Sequence, residues 1–374
     1  MKKTYKALLC GAAAVAAVGI AYAMDERFFE KAKDKLTVFK CRANSKIMEQ
    51  ALPLTDAMFP GPKVVSGADS AKKIPEVLKE LNVNKVMIVT GPTVGRTIVP
   101  PIAENLERHG IGYTIYDQVE ANPSVKTVEA IRAQYLENGC DGFLAIGGGS
   151  PMDAAKAAAA RVAKPNTPIG KMAGLMKVMI KVAPIVAVPT TSGTGSEVTM
   201  GAVISDHDER HKYAIMDPNL VPKYAVLDPK LTVSMPKFVT ATTGIDALTH
   251  AVESYVTWAY NNNASNRNAE EAVVKIFRNL KRAYEDGNDL EAREAMLIAS
   301  YKAGLAFNHT GVGYVHAIAH AMGGIYNTAH GLANAVIMPI VLEDYGTAVH
   351  PQLAHLAEIT GVKTTGSDAE KANA

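Results

Sequence analysis

The feature that most constrains this chain is a change in rhythm part-way along it. Short apolar runs recur at Lys85–Thr90 (KVMIVT), Gly112–Tyr116 (GYTIY), Gly142–Ile146 (GFLAI) and Ile185–Val188 (IVAV). Between them lie segments with helical spacing: Thr97–His109 closed by Gly110, Ser124–Asn138 closed by Gly139, and an alanine-rich stretch from Met152. Strands alternating with helices of this length imply βαβ units and a parallel sheet covered on both faces. After Pro236 the alternation stops. Ala241–Trp258, Asn268–Tyr284, Leu290–Phe307 and Tyr314–Tyr326 all read as long helices. The expectation is an α/β domain with a parallel sheet over 61–236, then an all-helical domain over 237–374.

At about 100–200 residues per domain, 374 residues suit two domains. A chain that is 48% hydrophobic and 20% charged is not disordered. Its net charge of +2 gives no basic footprint for nucleic acid. Cys10, Cys41 and Cys140 can build neither a disulfide framework nor a zinc knuckle.

The start of the chain follows another grammar. Lys2, Lys3 and Lys6 precede an uncharged run, Ala7–Ala23, that ends in Ala21-Tyr22-Ala23. Residues 1–24 read as a hydrophobic signal or anchor: a membrane tether through 7–23, a cleaved export signal, or a buried extension. Residues 25–60 are charged and amphipathic, and read as a linker. A cytoplasmic catalytic body, with or without membrane association, is the expectation.

Two loops have the composition of a nucleotide site. The strand GFLAI runs into Gly147-Gly148-Gly149-Ser150-Pro151 and then a helix. Glycines there let a backbone approach phosphate, and free N–H groups at the helix start favour negative charge. The run is neither G-x-G-x-x-G nor a P-loop. After IVAV comes Pro189-Thr190-Thr191-Ser192-Gly193-Thr194-Gly195-Ser196, dense in hydroxyls that suit phosphate or ribose. Either loop taken alone also fits a tight solvated turn.

Histidines concentrate in the helical half. His250, His309, His316, His320 and His330 are five of the chain's 10. Asp246 and His250 are spaced i, i+4, as are His316 and His320, so each pair leaves one helical face. An oxygen and several imidazoles from separate helices suit one divalent cation, and ligand type alone does not choose among Fe(II), Zn(II), Co and Mn.

These motifs together resemble the iron-dependent (group III) alcohol dehydrogenases, which include lactaldehyde reductases and 1,3-propanediol dehydrogenases. The resemblance runs from about Lys63 to the last residue. It rests on GGGSPMDAAK (147–156), PTTSGTGSEVT (189–199), GIDALTHAVE (244–253) and GYVHAIAHAMGGIYNTAHGLANA (313–335). It implies the dehydroquinate synthase-like architecture, with the site in the cleft between the two domains. It implies Asp246, His250, His316 and His330 as ligands of Fe(II), with Zn(II) the alternative. His320 is then the proton relay near the substrate. Gly148, Gly149, Ser150, Asp153, Thr190, Thr191, Thr199, Asn122 and Lys212 match cofactor-binding positions. The reaction implied is hydride transfer between NAD(P)(H) and a small alcohol or aldehyde, in a homo-oligomer.

At one position the chain departs from many NAD-preferring relatives. Where they carry aspartate after the first strand, this chain has Gly91 in Val89-Thr90-Gly91. That removes both the hold on the ribose 2′-hydroxyl and the repulsion of a 2′-phosphate, so NADP(H) is expected to be tolerated. Glycerol dehydrogenases, metal-free maleylacetate reductases and a non-catalytic nucleotide-binding relative are the alternatives. The full ligand set argues against the last two. Relatives usually continue through further helices beyond Ala374, so an incomplete helical domain is also expected.

Overall fold

The structure, a computed structural model, describes residues 61–373 apart from 207–210, 258–260 and 327. The signal-or-anchor reading of 1–24 and the linker reading of 25–60 fall outside the described residues. The first part contains strands β1 (Lys63–Ser66), β2 (Lys85–Val89), β3 (Gly112–Tyr116), β4 (Gly142–Gly147), β5 (Gly174–Leu175), β6 (Ile185–Pro189), β7 (Gly201–Asp206), β8 (His211–Met216) and β9 (Tyr224–Leu227). Its helices are α1 (Ile74–Glu80), α2 (Pro92–Thr97), α3 (Val99–Arg108), α4 (Val125–Glu137) and α5 (Gly149–Ala163).

Six strands form one parallel sheet in the order β1-β9-β6-β4-β2-β3. Successive side chains leave opposite faces of a strand, and both faces here are apolar. Met87, Val89, Phe143, Ala145, Ile185 and Ala187 pack with α4 and α5. Val86, Ile88, Leu144, Ile146, Val186 and Val188 pack with α1 and α3 on the other side. The Ala154–Ala160 stretch of α5 is wholly buried, and its side chains, all alanine except Lys156, let the helix lie close to the sheet.

Three features differ from the sequence expectation. β1 and β9 add two strands to the four expected in the parallel sheet. The helix expected over 97–109 is α3 (Val99–Arg108), starting two residues later because Pro100 and Pro101 lack N–H donors and fit only in its first turn, and an unexpected short helix, α2, precedes it. A second sheet, β5-β8-β7, covers one end of α5. In it β7 and β8 pair antiparallel, with Ile204 and Ile215 in the core.

From Lys237 onward every element among the described residues is helical: α6 (Lys237–Val256), α7 (Asn263–Glu285), α8 (Leu290–Thr310), α9 (Tyr314–Tyr326), α10 (His330–Tyr345), α11 (His350–Thr360) and α12 (Asp368–Ala372), with one 3-10 turn. Ala247, Ala251 and Val252 of α6 pack against Ala272, Val273 and Ile276 of α7 and Met296, Ala299 and Ala303 of α8. Val315 and Ala319 of α9 pack against Ala333, Ile337 and Val341 of α10. Among the described residues no single helix is long and apolar enough to cross a membrane.

Candidate metal centre and nucleotide cleft

The loops expected to hold a nucleotide start at the carboxyl edge of the parallel sheet. β4 ends at Gly147, whose φ of +150° brings its backbone against the Pro151 ring. Gly148 stands before α5 in an extended conformation with no side-chain cap, so the helix opens on unshared N–H groups. The Ser/Thr loop lies directly across. A Cβ on Gly148 would sit 3.1 Å from Thr191 Oγ1, and one on Gly149 would sit 2.8 Å from Thr194 Cγ2. Thr190 N–H donates to the Gly147 carbonyl at 2.8 Å. Asn122, in the left-handed region at φ 58°, donates its N–H to Ser150 Oγ and accepts from Lys212 Nζ at 3.0 Å. Gly148, Gly149, Ser150, Thr190, Thr191, Asn122 and Lys212 therefore line one neighbourhood. Gly91 precedes α2 at the same sheet edge, since β2 runs beside β4 with Val89 opposite Ala145.

Asp153 and Thr199 face inward instead. Asp153 accepts from Ser196 Oγ at 2.8 Å and from the Val203 N–H at 3.0 Å. The Thr199 carbonyl accepts from Lys156 Nζ at 2.8 Å. Both hold the protein's own loop. Lys156, fully buried, also donates to the Ser196 and Gly201 carbonyls.

That loop connects the nucleotide side to the helical side. Gly193 lies so close to α6 that a Cβ would meet Thr243 Cβ at 2.7 Å, and Gly195 would meet Gly304 Cα of α8 at 2.7 Å. One turn beyond Thr243, α6 presents Asp246 and His250. His316 arrives from α9 and His330 from the first residue of α10. Ligand atoms of Asp246, His250 and His316 all lie within 4.8 Å of one another. His330 Nε2 is 3.3 Å from Asp246 Oδ1, and His316 Nε2 is 3.5 Å from the same oxygen. The four predicted ligand residues meet at one point. His320 lies beside them, its ring 4.9 Å from that of His330 and 6.2 Å from that of His316.

Burial makes this cluster costly without a cation. Asp246, His250 and His316 are 3%, 6% and 1% exposed. Among the described residues, the ion pairs of Asp246 and of the equally buried Glu253 are with histidines, not with lysine or arginine. Burial pushes the Asp246 carboxyl up, but His250, His316 and His330 outweigh it and hold it far below the usual carboxylate range. Burial lowers His250 to about 3. Burial also acts against a charged His316, but Asp246 and Glu253 outweigh it and raise the ring to about 9. Burial, with His330 and His316, lowers His320 to about 3. The site attracts positive charge while keeping most of its imidazoles neutral, which suits a divalent cation with nitrogen and oxygen ligands.

Two family models cover the chain. One described as iron-containing alcohol dehydrogenase matches residues 61–229. One described as Fe-containing alcohol dehydrogenase family, C-terminal, matches residues 240–374. The chain belongs to the iron-containing alcohol dehydrogenase family. It is 36% identical over 314 residues to an NAD-dependent methanol dehydrogenase of Bacillus methanolicus, covering 84% of this chain and 82% of that protein. To the lactaldehyde reductase of Escherichia coli (strain K12) it is 33% identical over 311 residues, covering 82% and 80%. A crystal structure of 1,3-propanediol oxidoreductase superposes with a TM-score of 0.81 at 35% identity, covering 84% of this chain and 83% of that one. The chain is an enzyme of the metal-dependent alcohol dehydrogenase and aldehyde reductase class.

Three residues of the site were absent from the sequence-based set. Glu253 contacts His316, Asn334 Nδ2 donates to Asp246 Oδ1 at 2.8 Å, and Lys156 anchors the Ser/Thr loop. Each had a signal. Glu253 completes an i, i+4, i+7 face with Asp246 and His250, Asn334 is i+4 from His330, and Lys156 is i+3 from Asp153.

Proposed function

We propose that Asp246, His250, His316 and His330 hold one divalent metal, Fe(II) with Zn(II) as the alternative. The enzyme then transfers hydride between a nicotinamide nucleotide and a small alcohol or aldehyde. The convergence of those four side chains from three helices carries this reading. The bound cation supplies Lewis acidity toward the alcohol or carbonyl oxygen. The remaining work falls to the chain. Gly148, Gly149 and Ser150 at the start of α5 face the nucleotide's phosphates, with Thr190, Thr191, Asn122 and Lys212 around them. Asp153 and Thr199 support that loop from behind. His320, exposed beside His316 and His330, is placed to relay the substrate's hydroxyl proton to solvent. The names of the relatives above, acting on methanol and lactaldehyde, favour a short substrate.

Gly91 supports acceptance of NADP(H) beside NAD(H). The reading keeps the catalytic body in the cytoplasm, with residues 7–23 as a membrane tether. The exposed Leu332, Val336 and Ile340 on one face of α10 support a homo-oligomer. One preparation tests the chemistry. The full chain is stripped of metal, given Fe(II) or Zn(II), and assayed for NADH and NADPH oxidation over a panel of short aldehydes. Turnover should need added metal, and His250→Ala should lose it while still binding nucleotide. Metal-independent turnover, or an active His250→Ala variant, refutes the ligand assignment. A strong preference for NADH refutes the role given to Gly91.

A further inference from the structure

Glu253 lies one helical turn beyond His250 on α6 and is 1% exposed. Its two oxygens have separate partners. Oε1 accepts the Val315 N–H at 2.7 Å, and Oε2 lies 2.5 Å from His316 Nδ1. Backbone geometry protects the arrangement, because a Cβ on Gly313 would sit 2.7 Å from Glu253 Oε1. No solvent is needed to complete this contact, and no other acidic side chain pairs with His316 Nδ1 among the described residues.

We infer that Glu253 is a positioning residue for the metal site: it fixes His316 in the tautomer whose Nε2 lone pair points at the cation. The inference rests on the ligand assignment above and goes beyond it. A carboxylate has no hydrogen to donate, so the proton of a neutral His316 ring must sit on Nδ1, facing Oε2. That leaves Nε2 without a hydrogen, on the side where Asp246 Oδ1 lies 3.5 Å and Asn334 Nδ2 3.4 Å away. The Val315 N–H fixes the carboxylate, and Val315 is the chain neighbour of the histidine being oriented. Ring and carboxylate therefore move as one unit. Partners of this kind outside the ligand set typically change metal affinity about 10–100-fold when altered.

Glutamine tests this with almost no change of shape. It has one acceptor oxygen and one NH2 group for two sites that both present N–H. If the NH2 faces Val315, two donors oppose each other. If it faces His316, Nδ1 must accept, and the proton moves to the nitrogen that should bind metal. The test is Zn(II) titration of the full-length apoprotein, by competition with a chromophoric chelator, for wild type, Glu253→Gln and His316→Ala. NADH binding is measured on the same samples. Glu253→Gln should bind Zn(II) about 10–100-fold more weakly than wild type with NADH affinity unchanged, and His316→Ala should lose the site. In zinc-loaded wild type, the His316 ring nitrogens should report a protonated Nδ1 and a metal-bound Nε2 by NMR. Wild-type zinc affinity in Glu253→Gln, with loss in His316→Ala, overturns the role of Glu253 alone. Wild-type affinity in both overturns the ligand assignment and this inference with it. If Glu253→Gln does not fold, Gly313→Ala carries the question. Its added methyl displaces Oε1 without touching any charge, so weaker zinc binding supports the inference and unchanged binding overturns it.

Discussion

Replacing Lys156 by methionine is the sharpest probe of how the two halves of the cleft are joined. The Lys156 ammonium is fully buried and donates to the carbonyls of Ser196 (2.6 Å), Thr199 (2.8 Å) and Gly201 (2.9 Å), and to Ser196 Oγ (3.0 Å). Burial lowers it to about 8, against the pull of Asp153 and Glu197. That shift means its charge costs on the order of 3 kcal/mol in the folded protein. Methionine matches the stem but carries no donor. Three buried carbonyls then lose their partner, at about 1–3 kcal/mol each, while the desolvation cost of the charge disappears. Removing one member of a buried charged set typically costs about 3–5 kcal/mol, which lies inside that balance. The expected loss is about 3 kcal/mol, a large share of a typical folding free energy of about 5–15 kcal/mol.

The loss should be read by urea unfolding followed by circular dichroism, with NADH affinity measured on the folded variant. The Ser/Thr loop has lost its anchor, so NADH should bind more weakly while the zinc site, built on other helices, keeps its affinity. The double variant Lys156→Met, Asp153→Asn distinguishes this from a simple loss of packing. Asp153 shares Ser196 Oγ with the lysine, so the two changes should couple by about 0.5–3 kcal/mol. A single variant within about 1 kcal/mol of wild type, or strictly additive losses, would refute the reasoning.

Two further outcomes follow from the same geometry. Burial raises Glu197 from 4.5 to about 7. The folded protein therefore keeps a proton that the unfolded chain releases above pH 4.5. This stabilisation is complete below pH 4.5 and is lost as pH rises through about 7, on the order of 3 kcal/mol in all. The stability difference between wild type and Glu197→Gln should fall across that window, and a flat difference would sink the assignment. In Gly331→Ala, a Cβ would stand 1.9 Å from the Thr242 carbonyl oxygen of α6. α10 must shift, carrying its first residue, His330, with it. Zinc affinity should drop about tenfold or more with the nucleotide loops intact, on the scale of a lost orienting partner; wild-type affinity would show that His330 is not a ligand.

How much of this was legible depends on the distance over which the causes act. Four of the six strands of the parallel sheet, β2, β3, β4 and β6, were readable as short apolar runs, a local signal, whereas the four-residue β1 (KVVS) and β9 (YAVL) are too short to stand out. β7 and β8 were missed because their sequences, GAVISD and HKYAIM, mix polar and apolar residues and are half-buried, so no run stands out. The helical spacing of Asp246, His250, His316 and His320 was equally local. It could show that pairs share a face, but not that three helices meet. That meeting depends on glycines whose purpose appears only with their distant neighbours: Gly193 against Thr243, Gly195 against Gly304, Gly331 against Thr242. Glu253 shows the limit most clearly. Its place on the Asp246 and His250 face was visible in the heptad-like spacing, which makes it look like a fifth candidate ligand. The structure turns its carboxylate to the far nitrogen of His316, where it can orient a ligand without being one. Spacing along one helix gives the face a side chain leaves from, but the atom it meets is set by another helix, and that difference separates a ligand from the residue that aims it.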